Sequence, residues 1–111
     1  MAVKYKSNIK IRVGLDENKV PEELYWSAED GNIQNMEARA AFLSVWDAKN
    51  KDTYKINLWT KDMPVDDMKR FYHQILISMA ESFEVSTGDE KMSATMKDFC
   101  AYFAEKTGLI K

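Results

Sequence analysis

Histidine and cysteine are almost missing from this chain: His73 and Cys100 are each the single residue of their kind. One cysteine cannot close an internal disulfide, which suits a reducing compartment. One histidine and one cysteine also leave no zinc constellation of ordinary ligand count. The four glycines are isolated, so no glycine-rich loop is present to cradle a phosphate. An excess of one charge is lacking too. The net charge is −2, which gives no general attraction to phosphate, and nucleic acid is not an expected partner. Long apolar runs are missing, and every apolar stretch falls well short of the ~18–20 residues that cross a bilayer. The N-terminal "MAVKYKSNIKIRV" is basic and alternating, without the apolar core of a secretory signal. The expectation is a cytoplasmic protein with no direct membrane insertion.

What remains is ordinary globular material. The 111 residues suffice for a single domain, 1–111, and a domain of this length buries roughly two thirds of its unfolded surface. The first half alternates with period two. In "SNIKIRVGLD", Ile9, Ile11, Val13 and Leu15 point one way, and Asn8, Lys10 and Arg12 the other. Leu24, Trp26 and Ala28 form the apolar face of "ELYWSAED", and "DENKVPEE" reads as a solvated turn. "EARAAFLSVWD" and "TYKINLWT" form a second hairpin across "DAKNKD". Pairing Val45 with Tyr54, Leu43 with Ile56 and Ala41 with Leu58 sets apolar against apolar, and a one-residue slip would turn one strand inside out. "GNIQNM" reads as a connecting loop.

The second half changes period. Val65, Met68, Phe71, Tyr72, Ile75, Leu76, Met79 and Phe83 recur at three- and four-residue steps, the mark of one helical stripe. Pro64 belongs at the first turn. Asp66 and Asp67 then face the positive end of the helix dipole. Thr87 and Glu90 have capping-box spacing and predict the start of a second helix. Its stripe is Met92, Met96, Phe99, Cys100 and Phe103, with Gly108 as a stop. The expected fold is α+β: a two-layer sandwich with a four-stranded antiparallel sheet of two hairpins, covered on one face by two C-terminal helices. A meander is the simplest strand order.

Chemistry is sparse. His73 sits on the shoulder of the first stripe, and no carboxylate or nucleophile in the sequence is bound to converge on it. It reads as a boundary residue, with a ligand-binding or enzymatic role as the rival. Cys100 lies on an apolar stripe, the setting of an inert thiol. "DENKVPEE" lacks the glycine and oxygen spacing of a calcium loop. No catalytic residue, cofactor or metal site is expected. Aromatic residues are the exception. Once Leu43 and Ile56 point inward, the other face of their hairpin carries Phe42, Trp46 and Trp59, with Tyr25 on the corresponding side of its own strand. Such a face suits protein contact. Two local alternatives stand beside that reading: Phe42 folding into an edge, and Trp59 capped by the "TKDMP" corner.

Three blocks make the chain resemble a known family: "GLDENKVPEELYWSAED", "LSVWD…INLWTKDMPVDDMK" and "HQILISMAESFE…TGDEKM…MKDFCAYFAEK". It resembles the gliding-motility protein GldC family. The resemblance implies a small accessory protein of bacterial gliding motility, in cells that move over surfaces with an envelope machine linked to protein secretion. It implies no enzymatic activity and supplies no catalytic residues. The function expected is a non-enzymatic interaction module. It binds other proteins of the gliding and secretion machinery, or a second copy as a homodimer, through Tyr25, Phe42, Trp46 and Trp59. The rival from another class is a secretion-chaperone-like protein that holds export clients.

Overall fold

A computed structural model describes residues 2–110. The chain divides into two compact units, Met1–Met63 and Pro64–Lys111, and each is described by itself.

The first unit contains five strands: β1 (Ile9–Leu15), β2 (Pro21–Ala28), β3 (Ile33–Ala38), β4 (Ala40–Asp47) and β5 (Asp52–Trp59). They form a three-stranded sheet in the order β1-β2-β3 and a two-stranded sheet, β4-β5, all antiparallel. The expected single four-stranded sheet is therefore corrected on two counts. The segment read as a loop, "GNIQNM", supplies most of β3. Its apolar contacts fall at Ile33, Met36 and Ala38, opposite Ala28, Trp26 and Leu24. A register irregularity between Trp26 and Ala28 and a left-handed Asn35 (φ 47°) change the step from two to three. That bulge hid the strand from a period-two reading. The second correction lies at Arg39, a one-residue bend between β3 and β4. Neither proline nor glycine marks it, yet the chain changes sheets there.

The β4–β5 register is as the apolar pattern requires: Ala41 opposite Leu58, Leu43 opposite Ile56 and Val45 opposite Tyr54. Along β1 and β2, Ile9, Ile11 and Val13 pair with Ala28, Trp26 and Leu24. Leu24 is the best-buried large apolar side chain here, at 1% exposure.

The second unit is a helical hairpin of α1 (Val65–Thr87) and α2 (Glu90–Lys106). Pro64 precedes the first turn with extended backbone, and Asp66 and Asp67 occupy that turn. Gly88 ends α1 with φ 74°, and its N–H bonds the Glu84 carbonyl at 2.8 Å. The cap of α2 differs from the expectation. Asp89, not Thr87, is the N-cap and accepts the Met92 N–H at 2.9 Å. Thr87 still belongs to α1, where its hydroxyl donates to the Phe83 carbonyl at 2.7 Å. Gly108 (φ 83°) follows the end of α2.

Small residues make the seam between these helices. Ala80 on α1 and Ser93 on α2 are fully buried, and Cys100 and Ala104 on α2 are buried. The Ser93 hydroxyl donates to the Ala80 carbonyl at 2.8 Å. Spacings of seven and four put Ser93, Cys100 and Ala104 on one helical face. The contact stripe of α2 is thus rotated from the one expected: Cys100 lies in it, whereas Met92 and Phe99 are about half exposed.

Candidate interaction site

Alternation along β4 and β5 places Phe42, Ser44 and Trp46 on one face with Thr53, Lys55, Asn57 and Trp59. Ladder partners confirm the sharing of that face: Phe42 opposite Asn57, Ser44 opposite Lys55, Trp46 opposite Thr53. Trp59 lies opposite Ala40, so Phe42 and Trp59 are diagonal neighbours, within reach of large side chains. Trp46 lies four residues farther on, roughly 13–14 Å along the strand at ~3.4 Å per residue. Trp46 is 63% exposed and Trp59 50%, while Phe42 is half-buried. Tyr25 is also half-buried but belongs to the other sheet, where it pairs with Arg12 and Glu37. The expected set of four is therefore divided: a diagonal pair, one indole at the loop end of the hairpin, and one tyrosine in the other sheet.

The corner after Trp59 is pinned tightly. The Thr60 N–H donates to the Arg39 carbonyl at 2.7 Å, and the Lys61 N–H to the Pro21 carbonyl at 3.2 Å. The Lys61 ammonium reaches Asp16 and Glu22, each at 3.1 Å. Arg39 pairs with Asp62 and, more loosely, with Glu37. Asp16 closes its own turn, accepting the N–H groups of Asn18 and Val20. The Val20 N–H, then Lys61, holds the Asp16 carboxyl below its usual range. The Thr60 hydroxyl and the Arg39 guanidinium do the same for Asp62. Thr60 Oγ1, 1% exposed as a residue, meets no partner at full hydrogen-bond geometry, so the direct Arg39 pair is the firmer hold. Asp62 raises the affinity of Arg39 for its proton, and Asp16 and Glu22 do so for Lys61. These contacts give "LWTKDMP" a structural role, fastening the end of β5 to β2 and to the β3–β4 bend.

His73 lies in the helical hairpin, its ring stacked on Phe103 at 6.2 Å between centroids and 12° between planes. Cys100 is buried in the seam. Among the described residues no three His, Cys, Asp or Glu side chains stand close enough to share a metal ion. No described helix is long and apolar enough to cross a membrane.

Apolar alternation assigns the inward face of the first unit to the core and gives no signal of a site there. Within the first unit that face is a groove of about 580 Å³ lined by β1, β4 and β5, including Ile9, Ile11, Leu43 and Ile56. Ile9, Leu43 and Ile56 are among the exposed large apolar side chains. The alternation that revealed these strands also marks this face, but periodicity does not say whether a face is covered.

The chain is α+β, with exposed tryptophans on its two-stranded sheet. Residues 21–109 match the family described as "Gliding motility-associated protein GldC-like". The match covers most of the chain, which belongs to that family. No curated protein and no solved structure matches it.

Proposed function

We propose that this protein is a non-enzymatic accessory component of gliding motility that works in the cytoplasm by binding another protein through the outer face of the β4–β5 hairpin. The exposure of Trp46 and Trp59 on that one face carries the reading. Tryptophan is the residue most often found at energetic centres of interfaces, and an indole left in water forgoes a large burial free energy. Phe42 buttresses the Trp59 end, and Lys55 and Asn57 supply a polar border. The partner is a protein of the gliding and secretion machinery or a second copy of the chain. Sedimentation analysis and affinity capture from a gliding bacterium, with wild type and with Trp46→Ala and Trp59→Ala, test it. Association that persists in both folded variants removes the proposal.

A second reading has its own observation. The apolar groove of the first unit and its exposed Ile9, Leu43 and Ile56 favour a secretion-chaperone-like role, in which exposed apolar surface holds unfolded export clients. Such a protein suppresses aggregation of several unrelated unfolded chains, whereas a machine component selects one folded partner.

A further inference from the structure

β1 is an edge strand. Among the described residues its ladder partner is β2 alone, and no backbone hydrogen bond outside that pairing involves Ile9–Leu15. A strand edge of this length presents a row of unpaired N–H and C=O groups, a template for another extended chain. The two faces of β1 differ sharply. Ile9, Ile11 and Val13 line the apolar groove of the first unit. Lys10 and Arg12 stand on the opposite face, beside a polar trough of about 380 Å³ shared with Tyr25, Ser27 and Asn35.

Neither cation has an ion-pair partner among the described residues. Of the nearby carboxylates, Glu29 accepts from Asn8, and Glu37 lies 3.8 Å from Arg39. The Glu23 side chain lies over Gly14, where an added Cβ would meet its Cγ at 2.4 Å. Lys10 and Arg12 are two residues apart, so they repeat at the side-chain period of an extended chain.

We propose that β1 is a strand-addition site for an extended segment of a partner protein in which acidic residues alternate with apolar ones. Its backbone completes the ladder on the free edge of β1. Its carboxylates lie beside Lys10 and Arg12, and its apolar side chains enter the groove next to Ile9, Ile11 and Val13. A second copy of this chain is a poor occupant. Antiparallel pairing of β1 with another β1, centred on Arg12, would set Arg12 against its own copy, and like charges directly opposite one another destabilise a ladder. The site is separate from the β4–β5 aromatic face. It shares the groove with the client-holding reading but does not rest on it, because a holder of unfolded chains accepts apolar segments without regard to alternation.

The test titrates the full-length protein with labelled, capped nine-residue peptides, following anisotropy and the amide signals of β1. The probes are a peptide alternating glutamate with valine, a scramble of the same composition, a lysine–valine alternate, and the glutamate–valine peptide N-methylated on one edge. The expected result is saturable binding of the alternating acidic peptide at least ~tenfold tighter than the scramble, with loss on N-methylation of the pairing edge. Lys10→Glu with Arg12→Glu should weaken the acidic peptide by ~tenfold or more and bring in the lysine peptide. Equal affinity for peptide and scramble, indifference to N-methylation, or no saturable binding of the acidic peptide overturns the proposal. The peptide comparisons on wild type decide it even if the double variant fails to fold.

Discussion

Trp59 stands opposite Ala40 across the β4–β5 ladder, which sets its indole diagonal to Phe42 on the face that also carries Trp46. The pairing explains why Trp59 remains half exposed at the end of its strand: its cross-strand partner has only a methyl group to cover it. Trp46 has a similarly small neighbour, Thr53. Each indole is about half exposed, so its replacement by alanine should cost about 1–2 kcal/mol, within the ordinary range for single substitutions. Chemical denaturation measures it. Association should fall while the fold holds.

Leu24 is predicted to behave in the opposite way. At 1% exposure it is the apolar anchor of β2, and Leu24→Ala should cost about 2–5 kcal/mol through lost transfer free energy and an unfilled cavity. Denaturant unfolding followed by circular dichroism reads that loss.

The seam of the helical hairpin makes a third case. Ala80 is completely buried, and Ser93 donates to its carbonyl at 2.8 Å. Ala80→Leu should destabilise by about 1–3 kcal/mol from overpacking. Ser93→Ala removes one hydrogen bond and should cost about 0.5–1.5 kcal/mol. Thermal unfolding of the two variants should rank them in that order.

Gly88 tests backbone rather than packing. A Cβ at this position meets nothing within 4 Å, yet φ is 74°. Gly88→Ala should therefore cost about 1–2 kcal/mol from conformation alone. Gly88→Asn should cost less, because asparagine visits the left-handed region more readily.

Acid should loosen the corner after β5. Asp16 and Asp62 are held below the ordinary carboxylate range in the folded protein. Their ionised forms therefore favour folding, fully so above the unfolded carboxylate pKa of about 3.9. That contribution is lost as pH falls through their lowered folded values. Arg39 and Lys61 hold their protons more firmly when folded, so their share is present at neutral pH and lost only in strong alkali. The stability gap between wild type and Asp62→Asn should be constant near neutrality and shrink on acidification below about pH 5. A pH series of denaturation curves checks it.

Much of the architecture is legible in the residues, and the misses have local causes. Strict alternation on both sides of the "DAKNKD" turn makes the β4–β5 register readable, because any slip exposes Leu43 or Ile56 on the wrong face. β3 was opaque because the bulge at Ser27 and Asn35, where the Asn35 N–H bonds the Ser27 hydroxyl at 3.0 Å, changes its apolar spacing. The division into two sheets turns on Arg39, a residue type with no turn signal. That bend also separates the site residues: Tyr25 joins Phe42, Trp46 and Trp59 only if one sheet carries all four. The small residues of the helical seam escaped notice because apolar periodicity weighs Met and Phe above Ala and Ser. The three sequence blocks, by contrast, suffice for the family, and the match over 21–109 agrees with them.

The most direct measurement is a quantitative capture comparison in a gliding bacterium. Tagged wild type, Trp46→Ala with Trp59→Ala, and a control altered at an exposed apolar residue elsewhere, Val85→Ala, are expressed at equal levels. A protein enriched by wild type and Val85→Ala but lost from the tryptophan variant, with all three folded, is the predicted result. Equal recovery of every bound protein by all three would contradict a hairpin interface.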